Sequence, residues 1–116
     1  MHLSVPIPAS ANPTLEQCVQ EFTKEETLEG EDKWKCPRCK AMQMAKKKID
    51  IWKLPSILIV HLKRFEFTKS RAGKIKDHVE FPLVNLNLKP YVSRLQKEDP
   101  SYDLFAVMVS FRCSLY

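Results

Sequence analysis

The stretch that decides the fold is Ile57-Leu58-Ile59-Val60-His61-Leu62-Lys63-Arg64-Phe65, a β-strand that becomes basic towards its end. Its first four residues are apolar without alternation, which is typical of a central strand covered on both faces. His61 lies inside this apolar run, so we interpret it as a core histidine rather than a metal ligand. We expect a buried strand over Ile57–Phe65.

A helix is predicted upstream of that strand, from about Thr14 to Lys24. Thr14-Leu15-Glu16-Gln17 fits a capping box, in which a hydroxyl and an amide three residues apart satisfy free backbone groups of the first turn. Cys18 belongs to the apolar stripe of this helix, so it is interpreted as a core residue and not as a nucleophile. The stripe consists of Leu15, Cys18, Val19 and Phe22, which recur at helical spacing.

The other segments predict short strands and loops rather than a second helix. Lys46–Leu54 and Tyr102–Phe111 are expected to be strands, and Pro55 ends the first because proline cannot donate to a strand ladder. Residues Glu66–His78 are polar and basic and predict a mobile loop. Because strands outnumber helices and do not alternate with them, the fold class is α+β with a mainly antiparallel sheet and one N-terminal helix.

The composition is that of an ordinary globular protein, with 44% hydrophobic and 28% charged residues. The net charge of +5 permits nucleic acid or an acidic protein surface as a partner, although a solvated lysine-rich face explains it more simply. No apolar run approaches the ~20 residues of a membrane span, and Met1–Pro6 carries no signal-peptide pattern. We therefore expect a soluble, intracellular protein of the cytoplasm.

The four cysteines are Cys18, Cys36, Cys39 and Cys113, and close-spaced cysteines in an intracellular protein indicate metal or redox chemistry. Cys36-Pro37-Arg38-Cys39 has the spacing of a zinc knuckle, which supplies half of a tetrahedral structural site. A thioredoxin-like redox pair and two unliganded cysteines remain alternatives. The half zinc site is favoured because no helical stripe follows the motif, as the redox pair would require.

Six segments of the sequence follow one another in a characteristic order. The order resembles that of the C-terminal half of the catalytic domain in the ubiquitin-specific protease family, over about residues 3–107. The block most specific to this family consists of leucine-proline followed by histidine-leucine-lysine-arginine-phenylalanine. The segments are the helix at Thr14–Thr23, the knuckle Cys36–Cys39, Lys47–Pro55, Leu58–Phe65, Val79–Leu83 and Tyr102–Val107.

The resemblance implies a papain-like domain of fingers, palm and thumb, of which this chain supplies parts of the fingers and palm. The knuckle then lies in the fingers, as half of a structural zinc ribbon closed by a second cysteine pair upstream of Met1. The implied activity is that of a deubiquitinase, a thiol protease that cleaves the bond after the terminal glycine of ubiquitin. The implied partners are ubiquitin and ubiquitinated proteins.

The resemblance also implies where ubiquitin binds. The segment from Glu66 to His78 corresponds to a loop that covers the ubiquitin tail, and Phe65 lies near that tail in the channel to the scissile bond. We therefore assign Phe65, Glu66 and Phe67 to ubiquitin binding. That Phe65 instead caps the core remains open.

The catalytic boxes of the family are missing from this sequence, so no residue is assigned a catalytic role. After Ala106-Val107 the chain continues as Met108-Val109-Ser110-Phe111-Arg112-Cys113, and no glycine-glycine-histidine motif occurs. We expect a partial catalytic domain over residues 1–107 and a divergent tail over 108–116, arising from a fragment, a splice product or an incomplete gene model. A piece of a larger core would leave apolar faces uncovered around Ile57–Val60.

Two other functions remain as alternatives. One is an inactive ubiquitin-binding or scaffold protein. The other is a free-standing zinc-ribbon module that binds nucleic acid through Lys46-Lys47-Lys48 and Lys63-Arg64. The second is disfavoured because aromatic platforms interleaved with polar groups that read bases are not evident.

Overall fold

A computed structural model describes residues 1–68, 71–93 and 101–109. Within these ranges the chain forms one α-helix and ten short strands, which associate as five two-stranded pairs. Four pairs are antiparallel and one is parallel, so the α+β class with mainly antiparallel pairing is confirmed. The elements are β1 His2–Pro6, α1 Leu15–Thr23, β2 Glu26–Leu28, β3 Trp34–Lys35, β4 Met42–Gln43, β5 Ala45–Lys47, β6 Ile59–Lys63, β7 Phe65–Thr68, β8 Arg71–Lys74, β9 Leu86–Asn87 and β10 Ser101–Tyr102.

Strand β1 pairs in parallel with β6, and the register places Leu3 beside Val60 and Val5 beside Leu62. Leu3 and Val5 are buried, whereas the alternate residues of β1 face outwards, as the two-residue period of a strand requires. The sequence predicts extended backbone for the proline-rich first residues but does not predict this partner. The pairing joins segments that lie more than fifty residues apart along the chain.

Helix α1 begins with the predicted capping box. The Thr14 hydroxyl accepts a hydrogen bond from the Gln17 amide at 3.2 Å, and the Gln17 side chain accepts one from the Thr14 amide at 2.9 Å. Backbone hydrogen bonds between this cap and Glu80 attach the start of the helix to the later chain. The helix packs on β1 and buries Cys18 and Val19 completely, which confirms Cys18 as a core residue.

The core is one cluster that joins α1, the β1–β6 pair and three later segments. The Tyr102 hydroxyl donates to the Pro55 carbonyl at 2.6 Å and so attaches β10 to the chain that leads into β6. No helix within the described ranges is long and apolar enough to cross a membrane. The buried hydrophobic residues of the cluster are Leu3, Val5, Cys18, Val19, Ile51, Leu54, Val79, Leu86 and Leu88.

Two predicted strands are much shorter in the structure. Of Lys46–Leu54, only the first residues belong to β5, and Ile51 forms a single bridge with Val92. Trp52 is 63% exposed while Ile51 and Leu54 are buried, so a regular two-residue alternation does not run through this segment. Of Tyr102–Phe111, only Tyr102 lies in a strand; residues 103–109 are irregular, and the last two lie outside the described ranges.

Residues 57–65 contain strand β6, as predicted. The expectation that both faces of this strand are covered is wrong for the described residues. Ile57 and Ile59 are 61% and 58% exposed, whereas Leu58, Val60 and Leu62 pack against the core. The total accessible surface is 10032 Å², against about 6,500 Å² for a compact monomer of 13.5 kDa. The apolar face around Ile57–Val60 is therefore uncovered, as expected for a piece of a larger core.

His61 is also placed differently from its prediction. It lies on the exposed face of β6, with its ring beside that of His2, and is not buried in the core. The reason is the strand period, because Val60 and Leu62 turn towards the core and His61 between them turns away.

We predict that replacing Thr14 with alanine lowers the free energy of unfolding by about 1 kcal/mol, because it removes the hydroxyl that accepts from the Gln17 amide, while the backbone amide of residue 14 can still donate to the Gln17 side chain. Thr14→Ser should retain most of the stability, since serine supplies the same hydroxyl. Gln20→Ala, an exposed substitution in the same helix, serves as the control. Urea titration followed by circular dichroism measures all three; equal stability of Thr14→Ala and the unchanged chain would contradict the role of the cap.

Candidate functional site

The cysteine motif lies in a tight turn between β3 and β4. The Cys36 amide donates to the Ala41 carbonyl at 3.0 Å, and the Lys40 amide donates to the Cys36 carbonyl at 2.8 Å. Lys40 has a φ of 58°, in the left-handed region where residues other than glycine are uncommon. The turn thus holds Cys36 and Cys39 at the end of a short hairpin, close enough for the Cys36 thiol to donate to the Cys39 sulfur.

Hydrogen bonds to sulfur favour the thiolate of Cys39. The Ala41 backbone amide, the Gln43 side chain and the Cys36 thiol all donate to it, and together they lower the pKa of Cys39 below its ordinary value. The Gln43 Nε2 atom lies 3.5 Å from the sulfur. Cys36 is half-buried and Cys39 is exposed, so a metal ion can reach both.

The donor set of the knuckle fits half of a zinc site. Two thiol side chains on one turn, with backbone and amide donors directed at a sulfur, are the arrangement that zinc knuckles use. Within the described ranges no group of three or more His, Cys, Asp or Glu side chains could hold a metal ion. Cys18 is buried, and burial raises the pKa of its thiol; Cys113 lies outside the described residues.

The second candidate region is the hairpin of β7 and β8. The sequence predicts a loop over Glu66–His78, but its first half forms two antiparallel strands, in which Phe65 pairs with Lys74 and Phe67 with Ala72. Glu66 also lies on β7, opposite Gly73. Residues 66–68 and 71–74 therefore form paired strands where a mobile loop was expected, because their backbone groups bond to one another; the expected mobility of the segment stays a prediction.

Arg64 anchors the base of this hairpin. Its Nη1 donates to the carbonyls of Asp77 at 2.7 Å and Ile75 at 3.3 Å, and the Ile75 amide donates to the Arg64 carbonyl at 2.6 Å. The sequence shows only a basic residue at the end of a strand, so this anchoring role was missed. The guanidinium binds carbonyls on the returning chain, which no sequence pattern indicates.

Phe65 lies where β6 ends and this hairpin begins. Its side chain is 51% exposed and does not belong to the core cluster, and the Lys74 ammonium lies 5.9 Å from the centre of its ring. At this distance the Lys74 ammonium makes a cation–π contact with the exposed ring, across the β7–β8 pair. Phe65 is outside the core cluster of the described residues, and both of its expected roles, contact with the ubiquitin tail and a cap on the core, stay predictions.

Comparison with known proteins identifies the family. A family model described as ubiquitin carboxyl-terminal hydrolase matches residues 13–111. The chain belongs to the ubiquitin carboxyl-terminal hydrolase family. This confirms the resemblance that the order of segments indicated, whereas the finer kinship with ubiquitin carboxyl-terminal hydrolase 8 that those segments suggest stays a prediction.

Individual relatives of this hydrolase family are closely similar over most of the chain. Ubiquitin carboxyl-terminal hydrolase 4 of Pongo abelii is 46% identical over 93 residues, which are 80% of this chain and 10% of that protein. Hydrolase 12 of Saccharomyces cerevisiae is 46% identical over 97 residues, 81% of this chain and 8% of that protein. The chain thus spans about a tenth or less of the length of these curated relatives.

Solved structures of the family share the fold. The structure of the SAGA Ubp8/Sgf11/Sus1/Sgf73 DUB module bound to ubiquitin aldehyde matches with a TM-score of 0.62 and 37% identity. The match covers 84% of this chain and 21% of that one. This module bound to monoubiquitin, with Ubp8 carrying C146A, matches with a TM-score of 0.60 and 38% identity. The chain therefore folds as a portion of a ubiquitin carboxyl-terminal hydrolase; the boundary after residue 107 stays a prediction.

We predict that Cys39 reacts with iodoacetamide at a lower pH than an ordinary thiol, whose pKa is about 8.5, because only the thiolate reacts and its pKa is lowered. Gln43→Ala removes one donor and should move the half-maximal pH upwards. Met44→Ala changes an exposed neighbour and should leave it in place. Peptide mass spectrometry resolves Cys39 from the other cysteines, and an unchanged profile in Gln43→Ala would count against the hydrogen bond.

Proposed function

We propose that this chain is a segment of a cysteine-type deubiquitinase and forms part of its ubiquitin-binding surface rather than its reacting groups. The enzyme cleaves the bond after the terminal glycine of ubiquitin by thiol chemistry. The observation that carries the proposal is the family match over residues 13–111. The ubiquitin bound to the similar Ubp8 module supports it.

The reacting groups belong to other parts of such an enzyme. Thiol hydrolysis needs a cysteine nucleophile beside a histidine base. Cys18 is buried with a raised pKa, which disfavours its thiolate, and Cys36 and Cys39 are accounted for by the knuckle. His61 contacts Ser4 and His2 instead of a cysteine.

Phe65, Glu66 and Phe67 are proposed to contact the ubiquitin tail. Three observations support this placement: Phe65 is half-exposed, the hairpin begins at that residue, and Arg64 holds the base of the hairpin by hydrogen bonds to two carbonyls. An extended tail can lie along an exposed strand and pack against an aromatic side chain. The rigid base would keep that side chain in place while the hairpin adjusts to the tail.

The knuckle is proposed to hold a structural zinc ion. Cys36 and Cys39 would bind it as thiolates, and two further ligands would come from outside the described residues. The ion would fix the turn between β3 and β4 and take no part in the reaction.

Nucleic-acid binding through the lysine run is disfavoured by its contacts. Lys46 pairs with Glu25 at 2.8 Å, Lys47 with Glu26 at 3.3 Å and Lys48 with Asp50 at 2.8 Å. These pairs are solvent-exposed and contribute little stability, but they neutralise the charge that phosphates would need. A scaffold that binds ubiquitin without cleaving it remains the alternative, and the kinetic experiments below separate it from an enzyme segment.

We predict that the 116-residue chain alone does not turn over a fluorogenic ubiquitin substrate, because the residues that the structure describes offer no paired nucleophile and base. A complete family member measured in parallel is the positive control. Turnover by the purified chain that Cys18→Ser or Cys36→Ser abolished would overturn the assignment of roles. Full activity of a complete domain carrying this segment would in turn exclude the scaffold alternative.

We predict that Phe65→Ala, made in the complete catalytic domain that contains this segment, raises KM for ubiquitin substrates and leaves Tm nearly unchanged. The reason is that the exposed ring contributes contact with the tail and little packing. Phe65→Tyr keeps the ring and should keep KM. A core role predicts instead a loss of about 3–5 kcal/mol of stability, so a large drop in Tm with normal kinetics in the folded fraction would exclude the binding role.

We predict that zinc binds weakly to this chain and tightly only when two further ligands are supplied, since zinc affinity depends on a complete and folded ligand set. Metal analysis after dialysis against a chelator measures it, with Cys36→Ser as the control. Stoichiometric zinc that resists the chelator in the 116-residue chain would show that a complete site exists within it.

A further inference from the structure

The two ends of the β7–β8 hairpin are both attached to the core. The first end continues from β6, whose Val60 and Leu62 pack against the core cluster. The second end leads to Val79, which is buried, and to Glu80, whose backbone bonds to the segment that caps α1. Core packing and backbone hydrogen bonds therefore fix both ends, and the placement of the base does not depend on any exposed surface.

Arg64 is the residue at which β6 has ended and the hairpin begins, and the chain bends there. Its amide donates to the Leu62 carbonyl at 2.9 Å, which closes a tight three-residue turn. The strands on either side are Ile59–Lys63 and Phe65–Thr68. Small rotations about the backbone bonds at this bend would redirect the whole hairpin, because the φ and ψ dihedrals are the soft ones of the backbone.

Arg64 closes this bend with its backbone and its side chain together. Its carbonyl accepts from the Ile75 amide at 2.6 Å, while its Nη1 donates to the Ile75 carbonyl at 3.3 Å and to the Asp77 carbonyl at 2.7 Å. Hydrogen bonds from a charged donor are about twice as strong as neutral ones. The planar guanidinium also holds them in a fixed geometry, which the flexible lysine side chain does not reproduce. The returning chain is thus held to the residue that precedes Phe65.

We propose that Arg64 is a positioning residue for the ubiquitin tail, because it fixes the direction in which the β7–β8 hairpin leaves the core. This inference rests on the proposed contact of Phe65, Glu66 and Phe67 with that tail. Arg64 acts through Phe65, its neighbour in the chain, since its own Nη1 is directed to carbonyls of the protein. Without the guanidinium the hairpin would sample several directions, and the tail would have to restrict it on binding at a cost in affinity.

The first part of the test measures backbone hydrogen exchange in the 116-residue chain. Arg64→Ala should speed exchange of the Ile75 amide, although its acceptor, the carbonyl of residue 64, is still present. The Leu15 amide, which bonds to the Glu80 carbonyl beyond the base, should keep its rate. Lys63→Ala removes the neighbouring exposed basic side chain and should change neither rate. Equal acceleration at Ile75 and Leu15 in Arg64→Ala would indicate a general loss of stability and would overturn the positioning role.

The second part measures kinetics in the complete catalytic domain that contains this segment. Arg64→Ala should raise KM for ubiquitin substrates and change kcat less. Arg64→Lys keeps the charge but not the planar fork, and should recover only part of the change. Lys63→Ala should leave both constants in place. Because Arg64 acts through Phe65, Arg64→Ala combined with Phe65→Ala should raise KM by less than the product of the two single effects. If Arg64→Ala fails to fold, Arg64→Lys takes its place in the same cycle.

The outcomes separate this inference from the proposed function. If Phe65→Ala raises KM and neither Arg64 variant does, or if the Arg64 and Phe65 effects multiply, the positioning role is overturned and the tail contact stands. If Phe65→Ala leaves KM unchanged, the proposed tail contact fails and the positioning role fails with it. A lower kcat at unchanged KM in the Arg64 variants, or full recovery in Arg64→Lys, would also overturn the role of the guanidinium.

Discussion

The parallel pairing of β1 with β6 is the contact on which the rest of the structure depends. It joins the first residues of the chain to its most apolar strand, and it presents Leu3 and Val5 to helix α1. Hydrogen bonds along the two strands fix their register, so the buried residues of both fall on the same face. Because β6 continues through Arg64 into β7, this pairing also determines where Phe65 lies.

Local features could be predicted from the sequence, because their causes lie within a few residues. The capping box at Thr14, the buried Cys18 and the turn at Cys36–Cys39 each follow from neighbouring side chains and backbone groups. The family could also be predicted, since the order of its segments is preserved. A short motif is enough to predict such features. A pairing between distant segments cannot be predicted from a short motif.

The features that sequence reasoning missed depend on distant partners. The strand that pairs with β6 comes from the proline-rich first segment, and the sequence of that segment does not predict the pairing. His61 was assigned to the core because its neighbours are apolar, but the covered face of β6 belongs to Val60 and Leu62. The hairpin that begins at Phe65 was expected to be a loop because its composition is polar. A polar composition does not predict the backbone pairing or the hydrogen bonds from Arg64 to two carbonyls.

The uncovered surface connects these observations to function. The Cα radius of gyration is 17.3 Å, against about 13 Å for a compact domain of this length, and the apolar side chains of Ile57 and Ile59 are exposed. Burial of such surface stabilises a fold by about 25 cal/mol per Å², so Ile57 and Ile59 would gain stability from a covering element. The other face of β6 packs against the core cluster through Val60 and Leu62, so the strand that leads to Phe65 is supported from that side. The tail-binding role proposed for Phe65 therefore depends on the base of the β7–β8 hairpin, where Arg64 makes its hydrogen bonds. It does not depend on the apolar face around Ile57 and Ile59, which is uncovered in the described residues.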